Sequence, residues 1–214
     1  MADTRACEQC GTVFERRREH ARFCSARCRV AWNRGHTSDR GFQESALSWA
    51  VIAMGDTTQR LDRVRPLDRP QAFAVIIEAV WWVTIVDATL VRYHPEAYDR
   101  AMAEQPAAER KLTEGTFGGL RFVRNWIGYH CDPADFIEPR QASSGSHDAP
   151  VTAWTWKSVP APEPGSLPPR GQAWEVNRHR AYQAQLACHA VGETLDRAAA
   201  FLKLAAALCL PVAG

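Results

Sequence analysis

Apolar residues recur at three- and four-residue intervals through most of this chain, the spacing that gathers side chains on one side of an α-helix. Leu47, Ala50, Val51 and Met54 set the pattern and predict a helix over about 43–64, broken by Pro66 and Pro70. Asp68 is placed to cap a second helix over about 69–92, with Pro70 tolerated in its first turn. Its stripe is Phe73, Ile76, Ile77, Val80, Thr84, Ala88 and Val91, and His94-Pro95 ends it. A short helix over about 96–105 stops before Pro106, and another over about 114–130 carries the narrow row Leu120, Val123 and Ile127.

Near the C-terminus the pattern becomes a heptad. Trp174, Ala181, Cys188, Leu195, Leu202 and Cys209 fall at seven-residue intervals, with Ala184, Val191, Ala198 and Ala205 in the matching second positions. This predicts one helix of about 36 residues whose small second positions let a neighbouring helix approach; the stripe reads as core packing. Residues 138–172 differ: seven of the thirteen prolines lie there, with Ser143-Ser144-Gly145-Ser146 and Pro168-Pro169, and predict a long excursion ordered in part. Trp154-Thr155-Trp156 alternates like a short strand or docking segment and should lie back on the body. There is no internal repeat and no clear hairpin signal. The expected fold is mainly α: an antiparallel helical bundle over 42–210, a linker over 37–41, and a small finger over 1–36.

Composition changes this picture little; charge changes it more. The 214 residues are 46% apolar, enough for a real core, and eight are Trp. The formal net charge is only +2, but residues 1–40 hold nine Arg against five acidic residues, so the basic charge is concentrated at the N-terminus. Arg16, Arg17 and Arg18 form its densest part and suit phosphate contact; the plainer reading is a solvated loop tip. The longest apolar stretch, 72–91, could span a bilayer by length, but Glu78 and Asp87 lie about 180° apart around the helix, so no membrane is expected. The N-terminus is polar without a secretory leader, and the expected location is the cytoplasm. Cys131, Cys188 and Cys209 are scattered and read as reduced core thiols.

The other four cysteines are not scattered. Cys7-x2-Cys10 and Cys24-x3-Cys28 are two close pairs joined by a short loop, the spacing that closes a tetrahedron around Zn²⁺. Gly11 after Cys10 allows the backbone to turn back towards a metal. Ser25 can cap a helix over about 26–33 and place Cys28 in its first turn. A structural zinc site on Cys7, Cys10, Cys24 and Cys28 is therefore expected; two disulfides are the alternative, and His20 is a substitute ligand the four thiolates leave unneeded. The stretch Cys7-Glu-Gln-Cys-Gly-Thr-Val-Phe14 … Arg22-Phe-Cys-Ser-Ala-Arg-Cys-Arg29 resembles small bacterial fingers of treble-clef or ribbon-like layout.

A second candidate site lies in the segment 118–130. Arg121, Arg124, Asn125, Tyr129 and His130 share helical spacing there, offering two guanidiniums, an amide, a phenol and an imidazole. Arg can grip phosphate oxygens bidentately, and His titrates near neutrality. Solvated surface charge is the alternative for such a face. The order Arg124-Asn125-x4-His130 resembles the R-x4-6-H motif of the HEPN family, in which a polar residue often follows the Arg. The resemblance spans about 42–210 and implies a metal-independent ribonuclease, commonly a homodimer. It implies His130 as general acid or base at the RNA 2′-OH or leaving oxygen, Arg124 as the stabiliser of the charged transition state, and Asn125 as an orienting group, with Arg121 and Tyr129 as helpers. Expected partners are RNA or another nucleic acid, a second copy of the chain, and an antitoxin-like or regulatory protein. Other members of that family only bind, so the alternative is a non-catalytic nucleic-acid-binding or regulatory protein whose bundle dimerises.

Other chemistries lack their residues: there is no P-loop, no dinucleotide-binding glycine pattern and no H-E-x-x-H. His179 and His189 have no carboxylates at metal spacing and read as core-edge or surface residues. Glu78 and Asp87 are expected to pair with Arg121 or Arg124.

Overall fold

A computed structural model describes residues 4–15, 21–36, 40–61, 63, 69–130, 133–142, 151–163 and 172–209. The chain is mainly helical, with two small antiparallel sheets, and divides into two compact units, Met1–Ala46 and Leu47–Gly214.

In the first unit, β1 (Thr4–Ala6) and β2 (Val13–Glu15) form a short antiparallel hairpin, followed by α1 (Ala26–His36). The Ser25 hydroxyl accepts the Cys28 backbone N–H at 3.2 Å, the cap expected of it. Helix α1 runs three residues beyond its expected end, through His36. The expected linker falls partly on residues outside the description, and Arg40 and Gly41 belong to the next helix, α2 (Arg40–Leu61). Asp68, Pro66 and His20 also lie outside the described residues.

The second unit contains α2 from Leu47 onward, α3 (Arg69–Tyr93), α4 (Pro95–Glu104), α5 (Ala107–His130), β3 (Ile137–Ala142), β4 (Val151–Trp156), α6 (Gln172–Gln185) and α7 (Val191–Ala207). Helix α3 has its predicted bounds to within a residue, but its buried face is rotated from the predicted stripe. Ile76, Val80 and Thr84 are buried as expected, Phe73 and Ile77 are half-buried, Ala88 and Val91 are exposed, and Ala72, Ala79, Val83, Val86 and Leu90 complete the buried face. By length and composition Pro70–Tyr93 could cross a membrane; one face of it packs in the core of the unit and includes the buried Asp87, while Trp81, Ile85 and Val91 are exposed.

Helix α5 starts seven residues earlier than its apolar row predicts, directly after Pro106. The intervening Ala107-Ala-Glu-Arg-Lys-Leu are strong helix formers that need no core contact to be helical. Helices α5 and α6 lie antiparallel: an added Cβ at Gly118 would meet Ala181 and one at Gly119 would meet Tyr182 and Leu186, while further along Asn125 meets Glu175. The glycines let the backbones close up. Phe122 sits at the centre of this contact, its ring 5.2–6.0 Å from those of Trp126, Phe136, His179 and Tyr182.

Two expectations are corrected. The C-terminal heptad is not one helix. The chain breaks between α6 and α7, where Cys188 has a φ of 67° and is exposed, so it is not a core thiol. Backbone pairing causes the break: Cys188 N–H donates to the Trp156 carbonyl at 2.8 Å, and Trp156 N–H donates to the His189 carbonyl at 3.0 Å. The excursion also holds a hairpin. β3 and β4 pair antiparallel from Ile137↔Trp156 to Ala142↔Val151, with Pro139 opposite Trp154. Trp154-Thr155-Trp156 does lie back on the body: all three are buried, and Trp156 Nε1 donates to Thr194 Oγ1 on α7 at 2.7 Å.

Candidate metal centre and the polar face of α5

Cys7, Cys10, Cys24 and Cys28 converge. Their ligand atoms all lie within 4.8 Å of one another. Sγ–Sγ separations are 3.6 Å for Cys10–Cys24, 3.5 Å for Cys24–Cys28 and 3.7 Å for Cys28–Cys10. A tetrahedron with metal–sulfur bonds of about 2.3 Å has edges of about 3.8 Å, so these spacings fit a metal. They are too long for a disulfide, whose sulfurs sit about 2 Å apart, and all four cysteines are free.

Local sequence builds this geometry. Cys7 N–H donates to the Thr12 carbonyl at 2.9 Å and Gly11 N–H to the Cys7 carbonyl at 2.8 Å, folding residues 7–12 into a knuckle. Gly11 completes it at a φ of 72°, where a side chain would be strained. The second pair is tied to the knuckle by Arg22, whose Nε and Nη2 donate to Glu8 Oε2 at 2.8 and 2.6 Å. Burial pushes the Cys7 thiol up, but backbone amides around Cys24, Cys10 and Gln9 outweigh it and set it at about 6. Cys24 is pushed up to about 12 by the neighbouring side chains of Cys28 and Cys10. Crowded thiols resist joint ionisation, and a cation among them removes that resistance.

On α5, the polar residues divide. Arg121 turns to α3, where its Nε donates to Asp87 Oδ2 at 2.8 Å and its Nη2 donates to the same oxygen. The expected pairing of Asp87 with an α5 arginine is therefore present. Tyr98 Oη on α4 donates to Asp87 Oδ1 at 3.1 Å. Burial raises the Asp87 carboxyl above its ordinary value of 3.8 even against the pull of Arg121 and Tyr98. Glu78 pairs instead with Arg60 on α2, at 2.5 Å.

Arg124 and Asn125 turn to α6. Arg124 Nε and Nη2 donate to Asn125 Oδ1 at 3.3 and 3.1 Å, and Asn125 Nδ2 donates to Glu175 Oε1 at 2.7 Å. Arg178 Nη1 donates to the same Glu175 oxygen at 2.5 Å. Three guanidiniums, Arg121, Arg124 and Arg178, are thus accompanied by two carboxylates, Asp87 and Glu175. Asp87 is matched to Arg121 and Glu175 to Arg178. Arg124 has no carboxylate within ion-pair distance among the described residues. Burial, then Arg178 and Arg121, disfavour its charged form.

Tyr129 and His130 end α5, but their side chains lie outside the described residues, as do Arg16, Arg17 and Arg18. Helix α5 is continuous through Gly128, so positions 124 and 130 are about 120° apart around its axis and about 9 Å apart along it. His179 caps the Val159 carbonyl at 3.0 Å while its ring packs on Phe122, and His189 is exposed, in keeping with core-edge and surface roles. Glu175 and Arg178 are the site residues that sequence reasoning missed. Their only signal was an acid–base pair at i, i+3 spacing on an otherwise ordinary helix. No family model matches this chain, and neither does any curated protein or solved structure.

Proposed function

We propose that this chain is a HEPN-like ribonuclease whose N-terminal unit is a zinc finger that helps hold nucleic acid. In this reading the antiparallel helices of the second unit form the family's bundle, and the finger's Cys7, Cys10, Cys24 and Cys28 bind structural Zn²⁺. The observation that carries it is the charge imbalance at Arg124. A half-buried guanidinium, fixed by Asn125 and left over after two ion pairs, is a site for one added anion, and an RNA phosphodiester supplies that charge. His130 takes the proton of the 2′-OH or gives one to the leaving oxygen. The 2′-oxygen attacks phosphorus, the P–O5′ bond breaks, and Arg124 stabilises the extra negative charge of the transition state. The products are a 2′,3′-cyclic phosphate and a 5′-hydroxyl. The angular separation of positions 124 and 130 favours an arrangement in which a second copy completes the site.

The test is cleavage of mixed structured and single-stranded RNA in EDTA by the parent protein, Arg124→Ala and His130→Ala. Cleavage by the parent alone, with cyclic-phosphate ends, is expected. Equal cleavage by the folded variants removes this site from the chemistry.

A second reading rests on the Asn125–Glu175 bond, which makes the same polar face a tie between α5 and α6. In that reading the protein binds nucleic acid without turnover and its bundle dimerises. It predicts salt-sensitive RNA retention with no product in the same assay.

A further inference from the structure

The α5 motif accounts for only one of the two guanidiniums at this site. We propose that Arg178 on α6 forms, with Arg124, a two-arginine clamp for a single phosphate group, with Glu175 as the residue that sets their spacing. The proposal rests on the phosphate role given to Arg124 above and adds to it a residue that lies outside the motif.

The donor arrangement supports this. A guanidinium binds a phosphate best through one edge, with two parallel N–H donors to two oxygens. On Arg124 the Nε–Nη2 edge is already turned to Asn125 Oδ1, at 3.3 and 3.1 Å. Arg124 therefore offers Nη1 and charge, but not that edge. On Arg121 the same edge is turned to Asp87. Arg178 differs. It reaches Glu175 through Nη1, and no described residue accepts from its Nε or Nη2. Its side chain keeps 27% of its exposure, against 12% for Glu175, so solvent reaches the arginine more than the carboxylate. A hydrogen-bond chain links the two cations, from Arg124 through Asn125 to Glu175 and from Glu175 to Arg178, and Arg178 is the largest influence after burial that disfavours the charge on Arg124. Two guanidiniums in one hydrogen-bond network that holds a single carboxylate, Glu175, leave a unit of positive charge, and a phosphate monoanion cancels it. Glu175 Oε1 receives both Asn125 Nδ2 and Arg178 Nη1, so one buried oxygen fixes the distance between the two arms.

The experiment follows the Arg Nε–Hε resonances of the full-length, metal-loaded protein, assigned by Arg124→Lys and Arg178→Lys, during titration with inorganic phosphate and separately with the deoxydinucleotide thymidylyl-thymidine. The Arg124 and Arg178 signals should move together with one half-saturation point. Response to both ligands identifies a site that accepts a diester, and response to inorganic phosphate alone a site for a terminal phosphate; either supports the clamp. Arg178→Lys, which keeps the charge but loses the edge, should raise half-saturation for Arg124 about tenfold. Movement of Arg124 alone, or an unchanged half-saturation in folded Arg178→Lys, overturns the clamp and leaves the ribonuclease reading standing. Movement of neither overturns both the clamp and the phosphate role of Arg124. Joint movement in a protein that cleaves no RNA supports the clamp while the proposed reaction fails.

Discussion

Asn125 Nδ2 lies 2.7 Å from Glu175 Oε1 and joins α5 to α6 across fifty residues of sequence. The bond orients the Asn125 amide so that its oxygen faces Arg124, and it satisfies a carboxylate that is almost buried. Glu175→Ala should therefore leave both the amide and Arg178 without their acceptor, at a cost of about 2 kcal/mol. Glu175→Gln keeps an acceptor oxygen and loses only charge, and should cost about 1 kcal/mol. Chemical denaturation of the two variants beside the parent measures the difference. Equal losses would mean that charge, and not the hydrogen bond to Asn125, is what Glu175 contributes.

The Asp87–Arg121 pair behaves differently. Burial raises the Asp87 carboxyl above its ordinary value despite its partners, so ionised Asp87 is harder to hold in the fold than in water. For an acid with a raised folded-state value, the stabilising contribution is fully present below the unfolded value and is lost as pH rises through the folded one. Asp87→Asn should therefore gain on the parent as pH increases above 3.8 and should cost less than about 1 kcal/mol at neutrality. Asp87→Ala removes the acceptor of Tyr98 and Arg121 altogether and should cost about 2–3 kcal/mol, the partial exposure of Arg121 tempering the loss. Melting curves across pH check the sign; a parent that gains on Asp87→Asn with rising pH would refute it.

Close approach of α5 and α6 gives a third expectation. A Cβ at Gly119 would sit 2.7 Å from Leu186 Cδ1 and 3.0 Å from the Tyr182 backbone, which cannot step aside. Gly119→Ala should cost about 2 kcal/mol. At Gly115 the obstruction is the flexible Gln185 side chain, whose Cγ is 2.6 Å away. Gly115→Ala should be near neutral, because the gain in helix propensity, about 1 kcal/mol, offsets the rearrangement. Thermal unfolding of both variants decides whether backbone proximity sets the ranking.

These contacts show where the sequence was readable. Helices α3 and α4 were legible to within a residue or two because prolines mark their ends and α3 carries a dense apolar stripe. Cys7, Cys10, Cys24 and Cys28 were legible because metal chemistry depends on local spacing. The break at 186–190 was not. It contains no Gly or Pro, and its heptad continues in phase; the helix ends where Cys188 and His189 pair with Trp156, 32 and 33 residues away. The β3–β4 hairpin was hidden in the same way, by Pro139 and a proline-rich setting that obscure a strand whose buried tryptophans stabilise it through tertiary contact. Glu175 escaped because its role exists only once α6 lies against α5. Motif-scale chemistry can be read locally, whereas the groups that orient a motif come from whichever element packs beside it.

The candidate metal centre gives the last prediction. Separations of 3.5–3.7 Å among Cys10, Cys24 and Cys28 are already near those of a tetrathiolate site. The full-length protein should bind one Zn²⁺ per chain, and Co²⁺ in its place should show the intense visible bands of tetrahedral thiolate coordination. Binding must remove protons from thiols, most of all from Cys24, which the neighbouring cysteines push up to about 12. Affinity should therefore fall as pH is lowered, with protons competing for the ligands. Cys28→Ser should abolish the tetrathiolate spectrum and expose the knuckle, seen as faster amide exchange at Cys7 and Gly11, whose N–H groups close it. Metal content and spectra unchanged in Cys28→Ser would exclude that thiolate from the site; unchanged exchange on chelation would mean that the knuckle folds without metal.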